Sequence, residues 1–216
     1  MVNNVLPKGL SMTVLTLSVA IDVLDYLGTA AFAVTGALRA MSKRLDLMGA
    51  VVLAVVTALG GGMMRDALIG HHPPAAFVDQ SYLLIAVVLG ILTFFWGRHI
   101  REQESWLITL DAIGLGVFTL VGASIADAAG LSAFGILFIA MLTATGGGVL
   151  RAMMVAEIPF ILNKEIYASA SLIGAIAYLL LTSIEASSFW IFFIVMVMTT
   201  GVRLITWRCH LQLPRV

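Results

Sequence analysis

The sequence predicts an all-α integral membrane protein: seven transmembrane helices, arranged as two inverted three-helix repeats plus a seventh helix. Three observations carry that prediction. Of 216 residues, 61% are hydrophobic and only 11% are charged, against about 25% charged residues in soluble domains. The apolar residues gather in seven continuous runs, each near the roughly 20 residues that a spanning helix needs. The first three runs then match the next three at one fixed offset. The runs are continuous rather than alternating, which argues against a β-barrel. A formal net charge of zero leaves no basic signature for nucleic acid.

The first span reads as residues 18–39. Residues 1–20 have some signal-peptide character, with Lys8 ahead of an apolar run from Leu10 and a weak cleavage-like Ser18-Val19-Ala20. Asp22 and Asp25 follow at once and the apolar run resumes, so the segment reads as the lead into the first span. The second span covers 47–69. Pro73-Pro74 separates it from the third, 81–97. The fourth covers 107–126, and Gly130 marks the entry to the fifth, 131–155. Pro159 precedes the sixth, 167–184, and the seventh covers 189–207. Glycine and proline punctuate helix ends in this way. No linker divides the chain, so residues 1–216 form a single membrane domain. Repeat 1 runs from about 18 to 97, repeat 2 from about 107 to 184, and the extra helix from about 189 to 207.

The connections alternate in charge. Arg39, Lys43 and Arg44 follow the first span, Arg98 and Arg101 the third, and Lys164 the fifth; Arg203, Arg208 and Arg215 surround the end of the seventh. The other connections hold His71, His72, Asp79, Asp127 and Glu185, with Lys8 in the N-terminal tail. Lysine and arginine in short loops mark the cytoplasmic face. The N-terminus is therefore expected outside and the C-terminus in the cytoplasm. Trp96, Trp106, Trp190 and Trp207 fall at span ends, where an aromatic belt belongs. Cys209, the single cysteine, has no intrachain partner.

The repeat is the most informative feature. At an offset of 86 residues, Asp25 meets Asp111, Gly28 meets Gly114, Phe32 meets Phe118, and Gly36-Ala37 meets Gly122-Ala123. Ala54 meets Ala140, Thr57-Ala58 meets Thr143-Ala144, and Gly60-Gly61-Gly62 meets Gly146-Gly147-Gly148; Arg65 meets Arg151 and Pro73 meets Pro159. A unit of three spans is odd, so its second copy enters the membrane from the opposite side. Inverted repeats of this kind place transport sites near the midplane, on discontinuous helices.

The glycine triplets suggest two such helices. Each glycine costs roughly 1 kcal/mol in a helix relative to alanine, and exposed backbone at membrane depth is tolerated only when buried in protein or lining a cavity. The expectation is that the second and fifth spans break at Gly60, Gly61, Gly62 and at Gly146, Gly147, Gly148, with carbonyls facing a pathway. The bland alternative is close helix packing on small residues. Arg65 and Arg151 each lie four residues past the middle glycine. A buried arginine is normally paired, and depth suggests the pairs Asp25–Arg65 and Asp111–Arg151. Gating or charge selection and simple structural pairing both stay open for them. Thr57 and Thr143 recur with the triplets and are read as pathway hydroxyls. Thr145, Thr29, Thr35 and Thr119 have the alternative of bonding back to their own helices. His71-His72 lacks a third metal ligand, Glu157 reads as an interfacial charge, and Phe32 and Phe118 as core. There is no Ser-His-Asp set, metal cluster or phosphate loop, so an enzyme is not expected.

The run Leu24-Asp25-Tyr26-Leu27-Gly28-Thr29-Ala30-Ala31-Phe32-Ala33-Val34-Thr35-Gly36-Ala37 resembles the first helix of the prokaryotic TRIC (trimeric intracellular cation) channel family, also labelled glycine transporter. Gly60-Gly61-Gly62-Met63-Met64-Arg65-Asp66 resembles its second-helix motif, and Gly146-Gly147-Gly148-Val149-Leu150-Arg151 its fifth. Lys164-Glu165-Ile166-Tyr167-Ala168 is similar to the entry to its sixth. The resemblance covers about residues 20–207. It implies a homotrimer in the cytoplasmic membrane of a bacterium or archaeon. Each protomer would hold a pore for monovalent cations, potassium chiefly and sodium as a further permeant ion, lined by kinked second and fifth helices. No cofactor is implied. One departure stands out. Many relatives carry Arg-Asp after both triplets, whereas here the second is Arg151-Ala152. A small amino-acid carrier, with glycine as substrate at the same broken-helix site, is the alternative that the residues leave open.

Overall fold

The computed structural model describes residues 12–97, 104–163 and 166–209. Readings placed on Lys8, Arg98, Arg101, Lys164, Glu165 and Arg215 lie outside the described residues, as do the first eleven of the residues 1–20 weighed as a signal peptide. Among the described residues there are nine helices: α1 Met12–Ser42, α2 Leu47–Ile69, α3 Ala75–Val78, α4 Gln80–Trp96, α5 Glu104–Ala128, α6 Ala133–Met154, α7 Phe160–Asn163, α8 Ala168–Ser183 and α9 Ser188–Arg208. The short α3 and α7 were not expected from the sequence; each follows a proline, at Pro74 and Pro159. Five segments are long and apolar enough to cross a membrane: Val19–Ser42, Leu47–Ile69, Ser105–Ala128, Ala133–Met154 and Ser188–Arg208. Gln80–Trp96 and Ala168–Ser183 are shorter apolar helices. The chain is a helical membrane protein, and large apolar side chains such as Leu84, Phe134 and Leu180 stand on its outside.

Local signals explain the boundaries. Asp46 caps α2 by accepting from the Gly49 amide at 2.8 Å, and the helix ends at Gly70 with φ of 83°, a left-handed conformation that glycine reaches without a Cβ clash. Asp79 caps α4 through the Ser81 amide at 2.9 Å. Ser132 caps α6 from its extended backbone conformation.

Position in the bundle is uneven. The α5 segment is 78% buried while the α9 segment is 22% buried, so α5 is a central post and α9 a peripheral one. At the centre α2 crosses α6, flanked by α1 and α5. The contacts there are reciprocal. A Cβ on Gly61 would stand 2.2 Å from the Thr143 carbonyl oxygen, and one on Gly147 would stand 2.0 Å from that of Thr57. Likewise a Cβ on Gly36 would meet Thr57 Oγ1 at 2.8 Å and one on Gly122 would meet Thr143 Oγ1 at 2.9 Å. Phe32 and Phe118 meet edge-on with ring centres 4.9 Å apart.

The expected helix breaks are absent: α2 and α6 remain α-helical through both triplets. The reason is physical. A continuous helix satisfies its own backbone groups, which lipid cannot do, and removing Cβ atoms lets two backbones approach to a distance that any other residue would forbid. Close packing, the bland alternative, is what the triplets do here.

Candidate functional site

Two buried charge clusters lie on either side of the α2–α6 crossing, each centred on the aspartate–arginine set of one repeat.

The first joins α1, α2 and α4. Arg65 Nε donates to Asp66 Oδ1 at 2.8 Å, and Arg65 Nη1 lies 3.9 Å from Asp25 Oδ2. That second distance is ion-pair contact without a hydrogen bond, and Nη1 has no hydrogen-bond partner. Tyr82 donates its hydroxyl to Asp25 Oδ2 at 3.0 Å. Asp66 Oδ2 accepts the Ala75 amide at 2.9 Å and so ties α3 to α2. The adjacent residue is therefore the nearer partner of Arg65, which spacing arguments about Asp25 alone did not reveal. Asp25, Thr29, Gly62, Arg65, Asp66 and Tyr82 line a cavity of about 20 Å³, room for about one water.

The second joins α5, α6 and α9 with α1, α7 and the residue that precedes α8. Arg151 Nη2 lies 2.9 Å from Asp111 Oδ1, and its Nη1 donates to Thr35 Oγ1 of α1 at 2.8 Å. Tyr167 is buried beside them, its hydroxyl and Asp111 Oδ2 both without hydrogen-bond partners. The Arg203 guanidinium of α9 stands 4.9 Å from the Tyr167 ring centre and 5.8 Å from that of Phe160, and Arg151 lies 5.8 Å from the same Phe160 ring.

The threonines behave more plainly. Thr57 donates to the Leu53 carbonyl at 2.6 Å, Thr143 to Ile139 at 2.7 Å and Thr145 to Met141 at 2.7 Å. Thr29 and Thr119 make the same back-bond to Asp25 and Leu115. Their hydroxyl protons serve their own helices.

Sequence reading missed Tyr82, Tyr167, Phe160 and Arg203 as members of these clusters. Tyr82 and Arg203 have no counterpart at the repeat offset, and Arg203 sits in the helix outside the repeat. Its signal was a charge five residues inside an otherwise apolar helix end.

The loops at one end of the bundle are clamped by charge. Arg39 Nε donates to Glu157 Oε2 at 2.7 Å and Lys43 Nζ lies 2.7 Å from Oε1. Partial burial pushes the Glu157 carboxyl up, yet Lys43 and Arg39 outweigh it and hold it below the ordinary carboxylate value. At the other end Tyr26 donates to Asp79, and that bond holds the Asp79 carboxyl low; Tyr178 donates to Asp127 at 2.9 Å. His71 and His72 stand in the exposed α2–α3 connection, and the described residues contain no group of three or more metal-ligating side chains.

A family model described as Glycine transporter matches residues 22–98 and 108–183. The chain is 39% identical to the UPF0126 inner membrane protein YadS of Escherichia coli over 197 residues, covering 88% of this chain and 93% of that one. It is also 39% identical to a UPF0126 membrane protein of Deinococcus radiodurans over 172 residues, covering 79% and 80% respectively. Among solved structures, the TRIC trimeric intracellular cation channel orthologue from Rhodobacter sphaeroides superposes with a TM-score of 0.85 at 34% identity, covering 89% of this chain and 99% of that one. A prokaryotic TRIC channel crystallised in KCl superposes with a TM-score of 0.84 at 32% identity, covering 91% and 100%.

Proposed function

The chain belongs to the membrane family described as glycine transporters, the UPF0126 proteins with the prokaryotic TRIC fold, and on that premise we propose that it is a monovalent cation channel. Potassium is the main permeant ion, and each protomer of a homotrimer holds its own pathway. Seven helices span the cytoplasmic membrane, with the N-terminus outside and the C-terminus inside. Repeat 2 is inverted against repeat 1.

The observation that carries the reading is the pair of buried charge clusters placed symmetrically about the Gly61–Gly147 crossing. Intramembrane ionisable groups mark ion pathways by default, and the crossing joins the two halves. In this structure the crossing is packed shut, with backbone against backbone. The pathway proposed is the seam between α2 and α6, which opens when the two helices separate. Arg39, Lys43 and Arg44 at one end of the bundle support the orientation, since basic loops stay cytoplasmic.

A glycine carrier is the less favoured reading. The cavity beside Asp25 holds about one water, less than a zwitterion with two charged ends. The test is flux in liposomes containing the purified protein. Rapid, non-saturating potassium flux under an imposed potential is expected, with no labelled glycine uptake. Saturable glycine uptake without potassium flux would show a carrier instead.

A further inference from the structure

Counted over the described residues, the two clusters carry opposite formal charge. Beside α4, Arg65 faces two carboxylates, Asp25 and Asp66. Beside α9, among the described residues, Arg151 pairs with Asp111 at 2.9 Å, and a second guanidinium, Arg203, stands over the Tyr167 and Phe160 rings with no carboxylate paired to it. Arg203 is 3% exposed, makes no ion pair among the described residues, and leaves Nε and Nη2 without hydrogen-bond partners. Glu157 is engaged elsewhere, by Arg39 and Lys43. What Arg203 has instead is the faces of Tyr167 and Phe160. Ring faces steady a cation without neutralising it, and an arginine side chain keeps its charge.

The imbalance arises from two departures from the repeat, and both act in the same sense. Asp66 has Ala152 at the equivalent position, which removes an acid from the second cluster. Arg203 lies on α9, outside the repeat, and adds a base to that cluster. A cation moving along the α2–α6 seam therefore meets an attractive cluster at one end and a repulsive one at the other.

We propose that Arg203 sets the barrier to cations at the α9 end of the pathway and makes conduction rectify. The inference rests on the cation-channel reading. A unit charge about 6 Å away, at an effective dielectric of about 20, opposes a monovalent cation by a factor of about a hundred, and solvent screening brings this to about tenfold.

The test is current through planar bilayers holding the purified protein in symmetric potassium. Arg203→Gln is expected to raise the current about tenfold against wild type and to flatten its rectification. Arg203→Lys, which keeps the charge, is expected to raise it far less. Thr199→Asp supplies the missing carboxylate one helical turn earlier, at a buried hydroxyl that also lacks a partner, and is expected to act like Arg203→Gln. It decides the matter should Arg203→Gln fail to fold. If wild type conducts and the neutralised variants conduct no better, the role of Arg203 is overturned and the channel reading stands. An equal rise with Arg203→Lys overturns it too, by showing an effect of packing rather than charge. If neither wild type nor any variant conducts, the channel reading falls and this inference with it.

Discussion

Arg151 and Asp111, on α6 and α5, form a 2.9 Å ion pair whose side chains are 4% and 0% exposed, whereas Arg65 divides itself between Asp66 at 2.8 Å and Asp25 at 3.9 Å. The symmetry of the repeat thus holds in position but not in energetics. Breaking a buried pair by removing one partner costs about 3–5 kcal/mol, because a charge is stranded. Asp111→Asn should cost that much, since it strips Arg151 of its only ion-pair partner among the described residues. Asp25→Asn should cost about 1–3 kcal/mol, the scale of a lost hydrogen-bond partner, since Asp66 still holds Arg65. Thermal melting of the detergent-solubilised protein compares the two; equal losses would show that Asp25 and not Asp66 neutralises Arg65.

The hydroxyls of Thr57 and Thr143 donate into their own helices at 2.6 and 2.7 Å. Thr57→Val and Thr143→Val preserve shape and remove only that back-bond, so each should shift stability by less than about 1 kcal/mol and potassium flux by less than about twofold. A tenfold fall in flux would make these hydroxyls ion ligands after all.

Glu157 ties the loop after α6 to the end of α1 through Arg39 and Lys43. Its carboxyl is held below the ordinary value of 4.5. A group depressed in this way stabilises the folded state above its unfolded value, and the contribution disappears as pH falls through the lower folded value. Wild type should therefore lose more melting temperature than Glu157→Gln between neutral pH and a pH below 4.5. Identical acid sensitivity would mean that the clamp contributes nothing.

Much of this arrangement was legible in the sequence because lipid imposes strict rules. The positions of the five long apolar helices followed from apolar length, and the match of Asp25, Gly61 and Arg65 to Asp111, Gly147 and Arg151 paired the two halves. The triplets do not break their helices. Glycine weakens an isolated helix, yet here the neighbouring Thr57 and Thr143 carbonyls make use of the missing Cβ atoms, and that gain depends on a partner helix that no local pattern reveals. Arg203 counts in the sequence only among the basic residues that mark the cytoplasmic end of the seventh span, because position along the chain gives depth but not the direction in which a side chain turns. Tyr82 and Phe160 escaped because the positions 86 residues away carry no matching side chain, Ala168 for Tyr82 and Pro74 for Phe160.

The central claim is that cations pass where α2 crosses α6, and that this crossing is the seal. A Cβ at Gly61 would press within 2.2 Å of the Thr143 carbonyl oxygen, and one at Gly147 within 2.0 Å of that of Thr57, so alanine at either site must wedge the helices apart. The measurement is resting potassium leak from liposomes holding Gly61→Ala or Gly147→Ala protein, set against wild type at equal reconstituted amounts and matched for folding by melting. The account predicts that both variants leak faster than wild type, by similar factors. Leak at the wild-type rate from two well-folded variants would place the pathway elsewhere.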